Sequence, residues 1–376
     1  MTAPQTTQAP KARNAFLDVA RFFGLALVYY GHVVEQAMVL KNPAAAQHYK
    51  FVYSFHMIFF FLVAGFVFNP AKLALPFWAY VKRQAASRLV PYAFFSLVLA
   101  ASTLVFTGHY FYMDLGSPSG YLAGVLSTAM GFPLFNIPLW FLAALFSLEL
   151  THRIVGPWLR SDLALCIAAV IAYSGGYLLN LNTAFFPERN FWIINEVPVI
   201  YAFYLAGVWL RRRAFLQERA SSLKSAVLAA ICLAVVCFTY DLNQGPFRMF
   251  QAVVILLGAH GHFLLFPLTA LAGSIFLLAF AKLFENIRLL SWLGQNGLIL
   301  FCLNGVFYHY VNVPMAEWFM AETSGSGFAV FVWGAAVTFA SLLFCVPFAV
   351  LFERYLPQLA GRPGASGPIL PPFVRA

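Results

Sequence analysis

Charge is what this sequence has least of. Of its 376 residues only 10% are Asp, Glu, Lys or Arg, against about 25% in an ordinary soluble protein. Apolar residues make up 62%, where soluble proteins hold about 45–50%, and the mean hydropathy is +0.78. Too few polar groups remain to cover a globule of this length, so most of the surface must face lipid. That excludes a soluble enzyme, a nucleic-acid-binding domain and a disordered chain, and with them a nucleic-acid partner. Negative charge is the scarcer sign, 13 acidic residues against 23 Lys and Arg. In a membrane chain the positions of that surplus say more than its sum. Cysteine is also sparse: Cys166, Cys232, Cys237, Cys302 and Cys345 stand in apolar runs with no CxxC pair and no histidine at ligand spacing. They read as small core residues, and no disulfide or metal is expected.

What the sequence does have is long apolar runs. A bilayer core of about 30 Å needs about 20 helical residues, and such runs lie near 15–39, 51–69, 89–107, 138–152, 162–180, 197–211, 223–240, 262–282, 293–313 and 328–352. The first is too long and too charged for a cleaved signal peptide and reads as a retained helix. With a cytoplasmic N-terminus, this map places eighteen Lys and Arg on the cytoplasmic side and four (Lys41, Lys50, Arg189 and Arg248) outside, with Arg21 inside the first helix. Such an excess is what the positive-inside rule demands. The expected fold is therefore an all-α integral membrane protein of about ten transmembrane helices with both termini cytoplasmic. A disordered tail is expected over 1–14, a transmembrane domain over 15–352 and a cytoplasmic tail over 353–376, whose stretch 361–372 is rich in Pro and Gly. The apolar pieces near 120–135 and 246–261 are left over, as re-entrant or interfacial segments.

Ionisable groups inside a span cost about 2.5–3.5 kcal/mol each on insertion scales, so a helix that keeps several is using them. The first run keeps Asp18, Arg21, His32 and Glu35. Arg21 and His32 are close to three turns apart and share a face, separated by about 16 Å along the axis. Asp18 and Glu35 each sit one turn from a member of that pair, within i,i+3 reach. The plain alternative is a snorkelling pair at one end and a polar cap at the other. The functional reading makes His32 a general base, near neutrality in its ordinary pKa, oriented by Glu35. His56 lies in the second run, and the loop beyond it carries Lys82, Arg83 and Arg88. On charge alone these three read as an orientation anchor. Functionally they suit the phosphates of an anionic donor, since guanidinium forks match phosphate oxygens.

These residues carry a resemblance. Leu17, Asp18, Ala20 and Arg21, then ten residues to His32, are followed by Ser54, Phe55, His56, Met57, Phe60, Phe61 and Gly65 and by Arg83, Arg88 and Pro91. In this the chain resembles the membrane acyltransferase-3 family, whose members O-acylate glycans and lipids. Leu139 to Leu142, Phe203 to Gly207 before Arg211–Arg213, and Leu293 to Gly297 are similar as well, so that the likeness covers roughly 15–352. The sequence departs from the family at Asn304, where relatives often have histidine, and at Gly297, where many have serine.

The resemblance implies a multi-pass protein of the cell inner (plasma) membrane. It would take an acyl group, most commonly acetyl, from cytoplasmic acyl-CoA and place it on a hydroxyl of an extracytoplasmic or lipid-linked glycan such as an exopolysaccharide. It implies His32 as the catalytic histidine, with Arg21, His56, Arg83 and Arg88 in the donor site. The expected partners are the glycan or lipid-linked saccharide acceptor, membrane lipids and a polysaccharide synthesis machinery. Two other classes stand beside this reading: a transporter or flippase using the same intramembrane charges, and a non-catalytic subunit of a synthesis complex. The outer segment 185–196, mixing aromatics with Glu188, Arg189, Asn190 and Asn195, has the composition of either a sugar contact or an interfacial aromatic belt.

Overall fold

The computed structural model describes residues 14–111, 113–183, 190–216, 221–245 and 251–374. Among them the regular structure is helical, apart from one isolated bridge between Val254 and Ala259. Among the described residues nine helical spans are long and apolar enough to cross a bilayer, and a tenth crossing results if the bent pair Arg288–Gln295 and Gly297–Tyr310, 72° apart, counts as one. Lipid offers no partner to a free N–H or C=O, so a chain this apolar must satisfy its backbone internally, as helices do. The expected tail over 1–14 lies, save for Asn14, outside the described residues.

In chain order the helices are α1 (Ala15–Val39), α2 (Pro43–Tyr53), α3 (His56–Phe66), α4 (Phe77–Ser102), α5 (Pro118–Ala129), α6 (Trp140–Val155) and α7 (Asp162–Thr183). There follow α8 (Val197–Arg212), α9 (Ser222–Thr239), α10 (Leu265–Leu283), α11 (Arg288–Gln295), α12 (Gly297–Tyr310), α13 (Asn312–Glu322) and α14 (Gly327–Tyr355). The charged α1 is the hub, packing against α2, α3, α10, α11, α12, α13 and α14. The helices α7, α9 and α14 lie at the periphery and present Val170, Phe238 and Phe339 outward, each more than 60% exposed. Apolar exposure on this scale is a lipid contact.

Two expected boundaries move, both for local reasons. The second crossing is a broken helix that begins at Pro43 rather than near 51, because Asn42 caps it by accepting from Ala45 N (2.9 Å) and Pro43 occupies its first position. Its polar Lys50, in the last turn, is buried against Asp241 at 2.8 Å, and together with Gln47 and His48 it hid the helix from a hydropathy reading. The third begins at Phe77, not near 89, so Lys82, Arg83 and Arg88 stand on α4 and not in a loop. The stretch 77–88 is rich in Ala, Lys, Arg and Gln, all good helix formers.

Close crossings hold the bundle. A Cβ on Gly65 of α3 would lie 1.9 Å from the backbone oxygen of Tyr204, and one on Gly207 of α8 would lie 1.9 Å from that of Leu62. The two glycines let these helices touch backbone to backbone. The cluster Arg211–Arg213, at the end of α8, makes protein contacts: Arg211 donates to Phe68 O, Arg212 to Leu159 O (2.7 Å), and Arg213 pairs with Asp162 (2.7 Å).

Candidate active site

The middle of the bundle encloses a cavity of about 380 Å³. His32 and Glu35 enter it from α1, Tyr49 and Tyr53 from α2, His56 and Met57 from α3, and Tyr308 from α12. Ser127, Phe132, Leu134, Ile137 and Trp140 close one side, and 253–257 another. Described parts of both leftover segments are thus walls of this chamber. The segment 253–257 folds back on itself through the bridge between Val254 and Ala259, and the chain just beyond is held by Asn243, whose side chain accepts from His262 N (2.6 Å) and donates to His260 O (3.3 Å). His260 itself pairs with buried Glu196 at 3.1 Å, and Asn180 donates to the same carboxylate at 3.0 Å. His262 accepts from Leu264 N and Leu265 N at the start of α10.

His32 does not take Glu35 as its orienting partner, contrary to the sequence expectation. Its Nδ1 donates to Asn304 Oδ1 at 2.5 Å. Asn304 is fully buried on α12, which Asn136 fixes by donating to Cys302 O (3.2 Å). With Nδ1 carrying the proton, Nε2 holds the lone pair a base requires. The carboxylate of Glu35 accepts instead from Tyr308 OH (3.1 Å) and Tyr53 OH (3.3 Å). The physical reason lies in direction: residues three apart on a helix are neighbours, but two side chains that both open into one cavity satisfy themselves with groups across it.

His56 sits where α2 breaks into α3. The break leaves Val52 O with only a long bond from Phe55 N (3.4 Å), and His56 Nδ1 donates to that oxygen at 2.8 Å. A carbonyl only accepts, so His56 too keeps its lone pair on Nε2. The cavity therefore holds two imidazoles of the same tautomer. His309, one residue beyond Tyr308, faces elsewhere, stacking on Tyr110 at 4.0 Å and donating to His109 O at 2.9 Å.

The remaining sequence-predicted residues lie near the other end of the bundle. Arg83 and Arg88 line a second cavity, of about 320 Å³, together with Lys72 and Arg362. Arg88 is held by Glu149 of α6 in a two-pronged pair, Nη2 to Oε1 at 2.9 Å and Nε to Oε2 at 3.2 Å. Arg21 lines neither cavity; it pairs with Asp18 at 3.0 Å, and α11 crosses α1 there so closely that a Cβ on Gly294 would meet Asp18 O at 1.7 Å. Glu188 and Arg189 of the outer segment lie outside the described residues; of its remainder, Trp192 packs into the wall, with its N donating to Met130 O at 2.8 Å. Sequence reasoning gave no role to Asn304, Tyr308 and Tyr53 around the histidine or to Glu149 behind Arg88. Asn304 and Tyr308 are four apart, one polar face in an otherwise apolar helix, which was the available signal.

The arrangement defines a membrane protein with a buried histidine whose Nδ1 is held by Asn304 and, apart from it, a cationic cavity. The family model of an acyltransferase domain matches residues 14–350, and the chain belongs to this acyltransferase-3 family. Comparison with curated proteins and with solved structures gives no match.

Proposed function

We propose that the protein moves an acyl group, acetyl in the first instance, from acyl-CoA at the basic, cytoplasmic end to a hydroxyl of an extracytoplasmic or lipid-linked glycan, in the cell inner membrane. The observation that carries this reading is His32 in a chamber large enough for a reacting pair, with Nδ1 fixed by Asn304 and Nε2 left as acceptor. Family membership supplies the class of chemistry.

In this scheme His32 Nε2 takes the hydroxyl proton as the oxygen attacks the thioester carbon. The new C–O bond forms, the C–S bond breaks, and the proton passes from the imidazole to the leaving thiolate. A thioester is already activated, so base and position suffice and a covalent acyl-enzyme is not needed. Glu35, with its two tyrosines, sits in the same wall and binds the acceptor side. His56, with Nε2 free, is the second polar contact for the reacting groups. The phosphates of the donor belong in the pocket of Arg83 and Arg88, and Arg21, at the same end of α1, lies on the donor path. The rise from Arg21 to His32 is about 16 Å, a distance an extended pantetheine arm spans.

The test is transfer of label from radiolabelled acetyl-CoA by the purified protein in lipid discs, with a membrane glycan extract from its own cells as acceptor. Label in the glycan fraction is the expected result. Absence of label together with absence of coenzyme A binding would overturn the proposal.

A further inference from the structure

The chain beyond α14 is without regular helix, as its Pro and Gly content leads one to expect, yet it is built into the protein. Gln358 is fully buried and its amide donates to Ala365 O (3.0 Å), Leu370 O (2.5 Å) and Pro371 O (3.3 Å). Phe373 N donates back to Pro363 O at 2.8 Å, which closes the loop, while Leu359 and Ala360 are buried beneath it. One amide, its two N–H hydrogens shared among three carbonyls, thus staples a segment of more than a dozen residues into a fixed turn. That turn is the second wall of the cationic cavity: Gly361 to Ala365 face Arg83, Gln84, Ser87 and Arg88 of α4 across it.

The charges in this cavity do not balance. Arg88 has Glu149, and Arg362 has Glu353 at 3.0 Å. Lys72 and Arg83 have no carboxylate at ion-pair distance among the described residues. Among the described residues, four cations against two carboxylates leave two positive charges facing one space. Burial, and the charges of Arg88 and Arg83 working against the pull of Glu149, hold the Lys72 ammonium below its ordinary range. A bound anion would relieve that cost.

We propose that the C-terminal segment 361–374 is part of the donor-binding site, with Arg362 and Lys72 completing, beside Arg83 and Arg88, a pocket for the several phosphates of the donor's nucleotide end. The inference rests on the donor reading above and extends it to residues outside the matched domain, which ends at residue 350. The ligand chemistry is a cluster of phosphates carrying two or more negative charges. A polyphosphorylated nucleoside and an anionic lipid headgroup both offer it. The nucleotide is favoured because the pocket wall is the folded tail, reaching past the end of α14, and not the lipid-facing side of a helix.

The test is calorimetric binding of coenzyme A to the full chain in lipid discs of neutral composition, and again in discs containing an anionic phospholipid. The proteins are wild type, Arg362→Gln, Arg362→Lys and a chain ending after Ala360, each first checked for an unchanged elution profile. A loss of about tenfold in affinity for Arg362→Gln is expected from removing one charge-assisted contact. Arg362→Lys should recover part of it, and the truncated chain should lose at least as much as Arg362→Gln. Dephospho-coenzyme A should discriminate less between wild type and Arg362→Gln. Should the truncated chain fail the folding check, the Gln and Lys variants decide alone. Equal coenzyme A affinity in wild type and Arg362→Gln would overturn the assignment of the tail while leaving the donor reading intact. No binding to wild type would remove the donor reading itself. Binding that disappears for wild type only in the anionic discs would make the pocket a headgroup site and overturn the proposal.

Discussion

At the scale of single residues the account turns on His32 and the atom that orients it. The sequence located His32 and Glu35 one turn apart, and both line the cavity, but the partner of the imidazole came from α12, 272 residues away in the chain. No spacing rule reaches that far, because tertiary packing sets it; the polar face of Asn304 and Tyr308 was readable, its destination was not. Replacing His32 by Ala should lower turnover by about 10² to 10⁴-fold, the usual share of a general base. Asn304→Leu keeps the shape and removes the acceptor, leaving Nδ1 without a buried partner. Turnover should fall by about tenfold or more with little change in donor KM, and steady-state kinetics of both substrates would show it. A larger effect on KM than on turnover would mean Asn304 binds donor instead of fixing the base. Glu149 is an acidic residue in an apolar run, and the structure pairs it with Arg88. Glu149→Ala strands that guanidinium in a half-buried position; a stability loss of about 2 kcal/mol is expected, seen as a lower melting temperature in detergent. An unchanged melting temperature would mean the pair is solvated and structurally idle.

At the scale of elements, the helices were legible where they are apolar and hidden where they are polar. The helix α2, with Gln47, His48 and Lys50, and the first half of α4, with Lys82, Arg83 and Arg88, are too polar for a hydropathy reading, yet α2 is helical with its Asn42 cap and buried Lys50–Asp241 pair, and α4 through helix-forming residues. The break at Ser54 and Phe55 was also illegible, since nothing in that run is Pro or Gly. It matters for function, because it frees the carbonyl that fixes His56. The crossing of α3 and α8 was legible only as two glycines in suggestive runs. Its closeness gives a sharp expectation: Gly207→Val must push the helices apart, since no side chain can yield where the neighbour is backbone. Overpacking of this kind costs about 1–3 kcal/mol, so the variant should express poorly and melt earlier than Gly175→Ala, whose Cβ would meet nothing within 4 Å. Equal melting of the two would contradict the backbone-to-backbone contact.

At the scale of the whole molecule, composition alone dictated a helical membrane bundle, and the distribution of Lys and Arg proposed which end faces the cytoplasm. The number of crossings depends on whether α11 and α12, bent by 72°, make one span. Only three-dimensional structure could unite α1, the α2–α3 break, α12 and the 253–257 loop around one chamber. The orientation is open to a direct check. A fluorescent protein fused after Ala376 should fluoresce, and an alkaline phosphatase inserted between α4 and α5 should be active, because the segment Gly361 to Ala365 lies against the first half of α4 while the α4–α5 connection follows that helix's other end. Reversed signals would turn the molecule over and move the cationic pocket to the outer face, away from any cytoplasmic donor.

The central claim is that His32 is the base of an acyl transfer, and one experiment addresses it most directly. Wild type and His32→Ala, matched for folding and for coenzyme A binding, are each given labelled acetyl-CoA and the glycan extract, and label in the glycan is counted over a single turnover. Label is expected with wild type, essentially none with His32→Ala, and donor binding should be equal in both. Label transferred at the same rate by both proteins would contradict the claim.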